Sequence, residues 1–254
     1  MKVLLKPLQW LYSLYAIVLF VAIMLVIFPL VIFASFWGKI RGGNMILWLC
    51  ARWADLWFPL IGIFHRFIYE APHDPKRQFI FVNNHISYLD SAVLVKAYHQ
   101  QVRPLGKVEM ARIPVFGFIY RNAIVTVDRS RAANRAASLR ILRSLISKGI
   151  SVLVFPEGTF NETGEPLKEF YDGAFRLAIE TQTPVKPVLF LDTYDRMHYG
   201  SVFSFTPGRN RIVYLDEIPV EGLTKADLPA LKARVHAYME ERLRFYKASW
   251  IMKG

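Results

Sequence analysis

His85 and Asp90 are the side chains of this sequence best suited to moving a proton; they lie five positions apart in residues 78–90, QFIFVNNHISYLD. An imidazole changes charge near neutral pH, and a carboxylate bonded to one ring nitrogen fixes the tautomer and stabilises the cation that forms. On a straight helix five residues turn through about 140°, so the two side chains meet only if the chain curls before a helix starts. The apolar run 78–82 reads as a buried strand that Asn83 and Asn84 break. Ser87 is the expected N-cap, with His85 in the loop and Asp90 in the first helical turn. No Ser or Cys nucleophile accompanies the pair in a recognisable motif, so the group that loses the proton would belong to the substrate. The same residues also fit a simpler role: Ser87-x-x-Asp90 resembles a capping box, which would leave His85 an ordinary loop histidine.

Three further features could serve a substrate. Residues 155–159, FPEGT, close an apolar strand, the position where α/β sheets gather ligand loops. Glu157, Gly158 and Thr159 there supply a carboxylate, a close backbone approach and a hydroxyl, suiting a phosphate or a glycerol; a tight turn held by Glu157 is the alternative. Lys107 and Arg129 follow apolar segments and can neutralise a phosphate, Arg through two parallel hydrogen bonds and Lys as a point charge. Solvated surface cations would look the same, and Asp128 could simply pair with Arg129. The one cysteine, Cys50, excludes an internal disulfide, and no Cys and His cluster has metal-ligand spacing. No metal is expected, and the compartment reads as reducing.

The elements that must hold these residues alternate from residue 70 onward. Strands are expected at 78–82, 123–127, 150–155, 185–191 and 211–215. Helices are expected at 87–99, 132–148, 172–181 and from Thr224-x-x-Asp227 to about residue 247. That order implies an α/β core around a largely parallel sheet over residues 70–254. Residues 1–69 are different. Residues 8–37 carry no charge and are long enough to cross about 30 Å of hydrocarbon. A second apolar run, 44–64, is interrupted by Arg52 and Asp55 and suits an interfacial amphipathic helix, so the two together read as a membrane hairpin. The 32 Lys and Arg against 20 Asp and Glu give +12, which fits nucleic acid, anionic lipid or phosphorylated substrates. A chain that is 54% hydrophobic with its apolar excess at one end favours the phospholipid bilayer over nucleic acid.

In order and spacing, several blocks resemble the 1-acylglycerol-3-phosphate acyltransferase family, the PlsC-like lysophospholipid acyltransferases. They are His85-x4-Asp90, Lys107-Val108-Glu109 with Pro114-Val115-Phe116-Gly117, Val127-Asp128-Arg129, FPEGT, and Pro184-Val185-Lys186-Pro187. The resemblance covers roughly residues 78–190. It implies a glycerolipid acyltransferase-like fold, with His85 the general base, Asp90 its orienting partner, Lys107 and Arg129 on the acceptor's phosphate, and residues 157–159 shaping the acceptor site. It further implies an acyl thioester of coenzyme A or of acyl carrier protein as co-substrate, no other cofactor, and a bacterial inner membrane with the catalytic part on the cytoplasmic side. The expected reaction acylates 1-acyl-sn-glycerol-3-phosphate to phosphatidic acid. Another lyso-lipid acceptor, such as a lyso-ornithine lipid, and a non-catalytic lipid-binding protein are the alternatives. Two family cations are absent: Phe160 follows FPEGT where Arg is usual, and Tyr171 stands where a Phe-Lys-x-Gly block has Lys. Lys168 or Arg176 could replace them, or the acceptor head group could differ.

Overall fold

The computed structural model describes residues 2–127 and 132–251. Helix α1 (Lys2–Ser35) runs through both Pro7 and Pro29, and a π-helical turn (Gly38–Gly42) reverses the chain into α2 (Gly43–Leu60). There follow β1 (Ile63–Tyr69), β2 (Ile80–Asn83), α3 (Asp90–Ala97), β3 (Val102–Lys107), α4 (Phe116–Ala123), β4 (Val125–Val127), α5 (Ala132–Ile146) and β5 (Ser151–Val154). The chain closes with α6 (Gly173–Thr181), β6 (Val185–Phe190), the short α7 (Thr193–Arg196), β7 (Gly208–Tyr214) and α8 (Leu228–Phe245). The expected capping box precedes α8, the Asp227 carboxylate accepting the Thr224 N–H at 2.8 Å.

Among the described residues the strands form a sheet in the order β1-β7-β6-β2-β5-β3-β4. Every neighbouring pair is parallel except β6–β7. Strands β2, β5 and β6 are buried at every residue, the pattern of a parallel sheet covered on both faces. Helices α5, α6 and α8 cover one face through Leu142, Phe175, Leu177, Val235 and Met239. On the other face α2 and α3 bring Trp53, Trp57, Phe58, Val93 and Leu94 against Phe79 and Phe81. Because β2, β5, β3 and β4 run the same way, the C-terminal ends of all four lie on one edge, where residues 84–90, 155–159 and 108–112 follow β2, β5 and β3. Burying these apolar faces builds the frame that holds the edge loops still.

Helix α1 lies on α2, where the Trp57 indole donates to the Ala16 carbonyl at 2.9 Å and the Phe20 ring meets Trp53 and Trp57 edge-on. Residues 6–35 form one helix long and apolar enough to cross a membrane. Helix α2 is amphipathic. Met45, Trp48, Leu56 and Leu60 stand exposed at helical spacing beside Arg52, while Ile46, Leu49, Trp53 and Trp57 are buried beneath them.

The sheet departs from the sequence expectation in three places. Residues 63–69, of which 63 and 64 close the expected apolar run 44–64 and the rest carry no expected element, are β1, the edge strand paired in register with β7. Gly62, at φ 63°, makes the break between helix and strand that the apolar composition conceals. Residues 102–107, read as connecting chain, form β3 despite Pro104. It survives because its ladders are split, Val102 to Pro104 pairing with β5 and Leu105 to Lys107 with β4. Helix α4 was not anticipated either; it starts directly after Val115, whose φ of 61° turns the chain sharply.

Candidate active site

The chain curls between His85 and Asp90 as the five-residue spacing requires. Helix α3 begins at Asp90 itself and its N-cap position is Leu89, not Ser87. The Ser87 hydroxyl instead accepts the Leu89 N–H at 3.0 Å and donates to the Met197 carbonyl, tying the loop to the segment after α7. Asp90 is fully buried. Its Oδ2 accepts the N–H groups of Ile86 at 2.8 Å and Ser87 at 2.9 Å, and lies 2.8 Å from His85 Nδ1. With that oxygen an acceptor three times over, the imidazole proton belongs on Nδ1, and Nε2 keeps its lone pair. Among the described residues Nε2 makes no hydrogen bond.

Two rings with no expected role beside the base clamp the imidazole. Phe155 stacks on it at 4.3 Å between centroids, and Phe160 meets it edge-on at 4.4 Å. Phe160 also packs against the half-exposed Tyr88. The signal was present in the aromatic residues that bracket the FPEGT block, but nothing in the pattern said that both would turn toward His85.

Glu157 is only 2% exposed, and its carboxylate faces the protein. One oxygen accepts the His85 N–H at 2.8 Å and the other the Lys168 N–H at 2.9 Å. It latches the His85 loop to the segment that follows residues 155–159, and the His85 carbonyl returns a bond from the Asn161 N–H at 2.8 Å. Expected among the substrate ligands, Glu157 has its oxygens committed to main chain. Gly158 sits at φ 76°, the left-handed conformation that lets this turn close. The Thr159 hydroxyl accepts from Lys168 Nζ at 2.5 Å, so a cation stands at the loop where Phe160 brings none. Arg176 is exposed on α6. Lys107 ends β3, exposed, on the same sheet edge as His85. Arg129 lies outside the described residues, two positions beyond Val127, the register partner of Lys107.

Burial pushes the Glu157 carboxyl up from 4.5 to about 7, against the opposing pull of its two N–H bonds. Between those values the folded chain holds a proton that the unfolded chain has released. The stability this supplies is therefore present below pH 4.5 and lost as pH rises toward 7, about 3 kcal/mol in all. The expected result is a wild-type thermal midpoint that falls between pH 5 and pH 7.5, with a visibly flatter profile for Glu157→Gln. Parallel profiles would mean that this carboxyl does not titrate in that window.

The Acyltransferase family profile matches residues 66–191. The chain is 30% identical over 167 residues to human 1-acyl-sn-glycerol-3-phosphate acyltransferase alpha, an alignment that takes in 65% of this chain and 58% of the human protein. It is 28% identical over 200 residues to the 1-acyl-sn-glycerol-3-phosphate acyltransferase of Haemophilus influenzae, covering 77% of this chain and 80% of that one. The chain thus spans less than two thirds of the human relative and most of the bacterial one. The crystal structure of PlsC, the 1-acyl-sn-glycerophosphate acyltransferase of Thermotoga maritima, has the same fold, with a TM-score of 0.73 at 23% identity over 98% of this chain and 99% of that one. Through residues 66–191 the chain belongs to the acyltransferase family, the one its ordered sequence blocks resemble.

Proposed function

We propose that this protein transfers an acyl chain from a thioester of coenzyme A or acyl carrier protein to the free hydroxyl of a lysophospholipid, with 1-acyl-sn-glycerol-3-phosphate as acceptor and phosphatidic acid as product. One observation carries the chemistry: His85 is oriented by Asp90, and among the described residues no Ser, Thr or Cys side chain is bonded to it. The acceptor hydroxyl oxygen attacks the thioester carbonyl while His85 Nε2 takes its proton. Main-chain N–H groups near the FPEGT turn are the donors proposed for the developing oxyanion. The tetrahedral intermediate collapses, the C–S bond breaks, and the imidazolium returns the proton to the departing thiolate. Asp90 stabilises the imidazolium throughout. Phe155 and Phe160 exclude water from the base and limit hydrolysis of the thioester.

Lys107, Arg129 and Lys168 are the cations proposed for the acceptor's phosphate. The apolar helix α1 and the outward stripe of α2 would hold the enzyme on the bilayer. The basic excess of the chain and the need for a thioester donor support the cytoplasmic face of a bacterial inner membrane. An acceptor panel on purified protein tests the substrate: lysophosphatidate should be acylated at least tenfold faster than lysophosphatidylcholine. A second acceptor class is favoured by Phe160 and Tyr171, each in the place of a family cation. Faster acylation of a lyso-ornithine lipid than of lysophosphatidate would establish it and displace the first.

Lys168→Ala is expected to raise KM for lysophosphatidate roughly tenfold or more, the worth of one hydrogen bond to a charged group. KM for the thioester should stay within about twofold, and Lys168→Arg should recover most of the loss. Equal rises in both KM values would remove Lys168 from the acceptor site.

A further inference from the structure

A cleft of about 540 Å³ lies between α2 and the segment joining α3 to β3. Helix α3 leaves the catalytic edge at Asp90, and the cleft is at its far end, by Lys96 and Arg103, on the opposite edge of the sheet from His85. Three cations line it against one carboxylate. Asp55 is shared, pairing with Arg52 at 2.8 Å through one oxygen and with Lys96 through the other. Arg103 is 3% exposed and has no carboxylate partner among the described residues. Its guanidinium donates only to carbonyls, those of Val102, Lys39 and Ile40, the last two in the turn between α1 and α2. A guanidinium held this way keeps its charge uncompensated. The remaining walls are mixed, with Leu47, Leu94 and Val95 apolar and Asn44, Gln100 and Gln101 polar.

Trp48 and Arg52 line the cleft and are themselves exposed, on the outward stripe of α2 that also exposes Met45, Leu56 and Leu60. An apolar stripe with an aromatic residue and a cation at its edge is the composition of a helix lying at the headgroup level of a bilayer. A lipid with its tails along the stripe would bring its phosphate to Arg52 and Lys96, and two positive charges in excess favour an anionic headgroup over a zwitterionic one. We propose that this cleft binds the headgroup of an anionic phospholipid of the bilayer, at a site separate from the one where the acceptor reacts.

The test uses the full chain in a neutral detergent, with bound molecules counted by native mass spectrometry. Dioctanoyl phosphatidylglycerol, dioctanoyl phosphatidylcholine and inorganic phosphate form three arms. Phosphatidylglycerol is expected to bind tightest. The double variant Arg52→Gln, Lys96→Gln should weaken it by roughly 25-fold, about fivefold for each cation removed. Arg52→Gln alone changes one exposed side chain and should weaken it about fivefold, which keeps the test valid if the double variant does not fold. Lys168→Ala, which alters the catalytic edge, should leave this binding unchanged. Equal binding of phosphatidylcholine would overturn the proposal, as would displacement by phosphate at concentrations matching the lipid. A loss of binding in Lys168→Ala with none in the Arg52 and Lys96 variants would assign the lipid to the acceptor site instead.

Discussion

His85→Ala is expected to lower kcat by about 10³-fold, within the 10²- to 10⁴-fold contribution of a positioned general base. The loop should keep its shape without the ring, because its anchors are main-chain groups. The His85 N–H is held by Glu157, its carbonyl by the Asn161 N–H, and the next two N–H groups by Asp90. Alanine preserves all of these, and the ring's loss leaves only a gap between Phe155 and Phe160. The deficit should therefore appear in turnover and hardly in the thermal midpoint, read as the initial rate of thiol release from the thioester. A variant with near wild-type turnover would remove the imidazole from the mechanism.

Asp90→Asn is expected to lower kcat by about 10²- to 10³-fold with KM for the acceptor within about twofold. Three N–H donors converge on Oδ2, while Oδ1 is buried and accepts nothing among the described residues. The asparagine carbonyl will take the Oδ2 position, so the tautomer of His85 is kept and what disappears is the negative charge. An ion pair whose charge centres lie about 4 Å apart is worth up to about 4 kcal/mol at an effective dielectric of 20, most of it realised only as the imidazolium forms. The amide NH2 falls where no acceptor waits, so the variant should also lose about 1–3 kcal/mol of stability. A raised KM at unchanged kcat would contradict the assignment, because it would mean that Asp90 serves binding and not the base.

The central strands were legible because their burial leaves a mark on composition: residues 80–83, 151–154 and 185–190 are apolar or β-branched runs apart from Asn83, Ser151, Lys186 and Pro187. The edges were not. Strand β1 exposes Phe64 along with Arg66 and follows an apolar helix after only Ile61 and Gly62, so its alternation is masked. Strand β3 contains Arg103, Pro104 and Gly106, which weaken any strand signal, and only pairing to two different neighbours makes it one. In the site, the spacing of His85 and Asp90 told that they could meet through a curl, and the structure brings them together. The direction of Glu157 could not be read, since a carboxylate in a turn looks the same whether it faces a ligand or two buried amides. The aromatic clamp on His85 was equally hidden, because it depends on two side chains folding back over a ring 70 and 75 positions earlier.

The claim that the substrate supplies the nucleophile is tested most directly by mixing wild-type protein with the acyl thioester alone, following thiol release and the intact mass of the chain before steady state. Without acceptor, no thiol burst and no acylated protein are expected; on adding lysophosphatidate, one thiol should appear for each phosphatidic acid formed. A stoichiometric burst with the donor alone, together with a chain heavier by one acyl group, would contradict direct transfer and place a nucleophile in the protein.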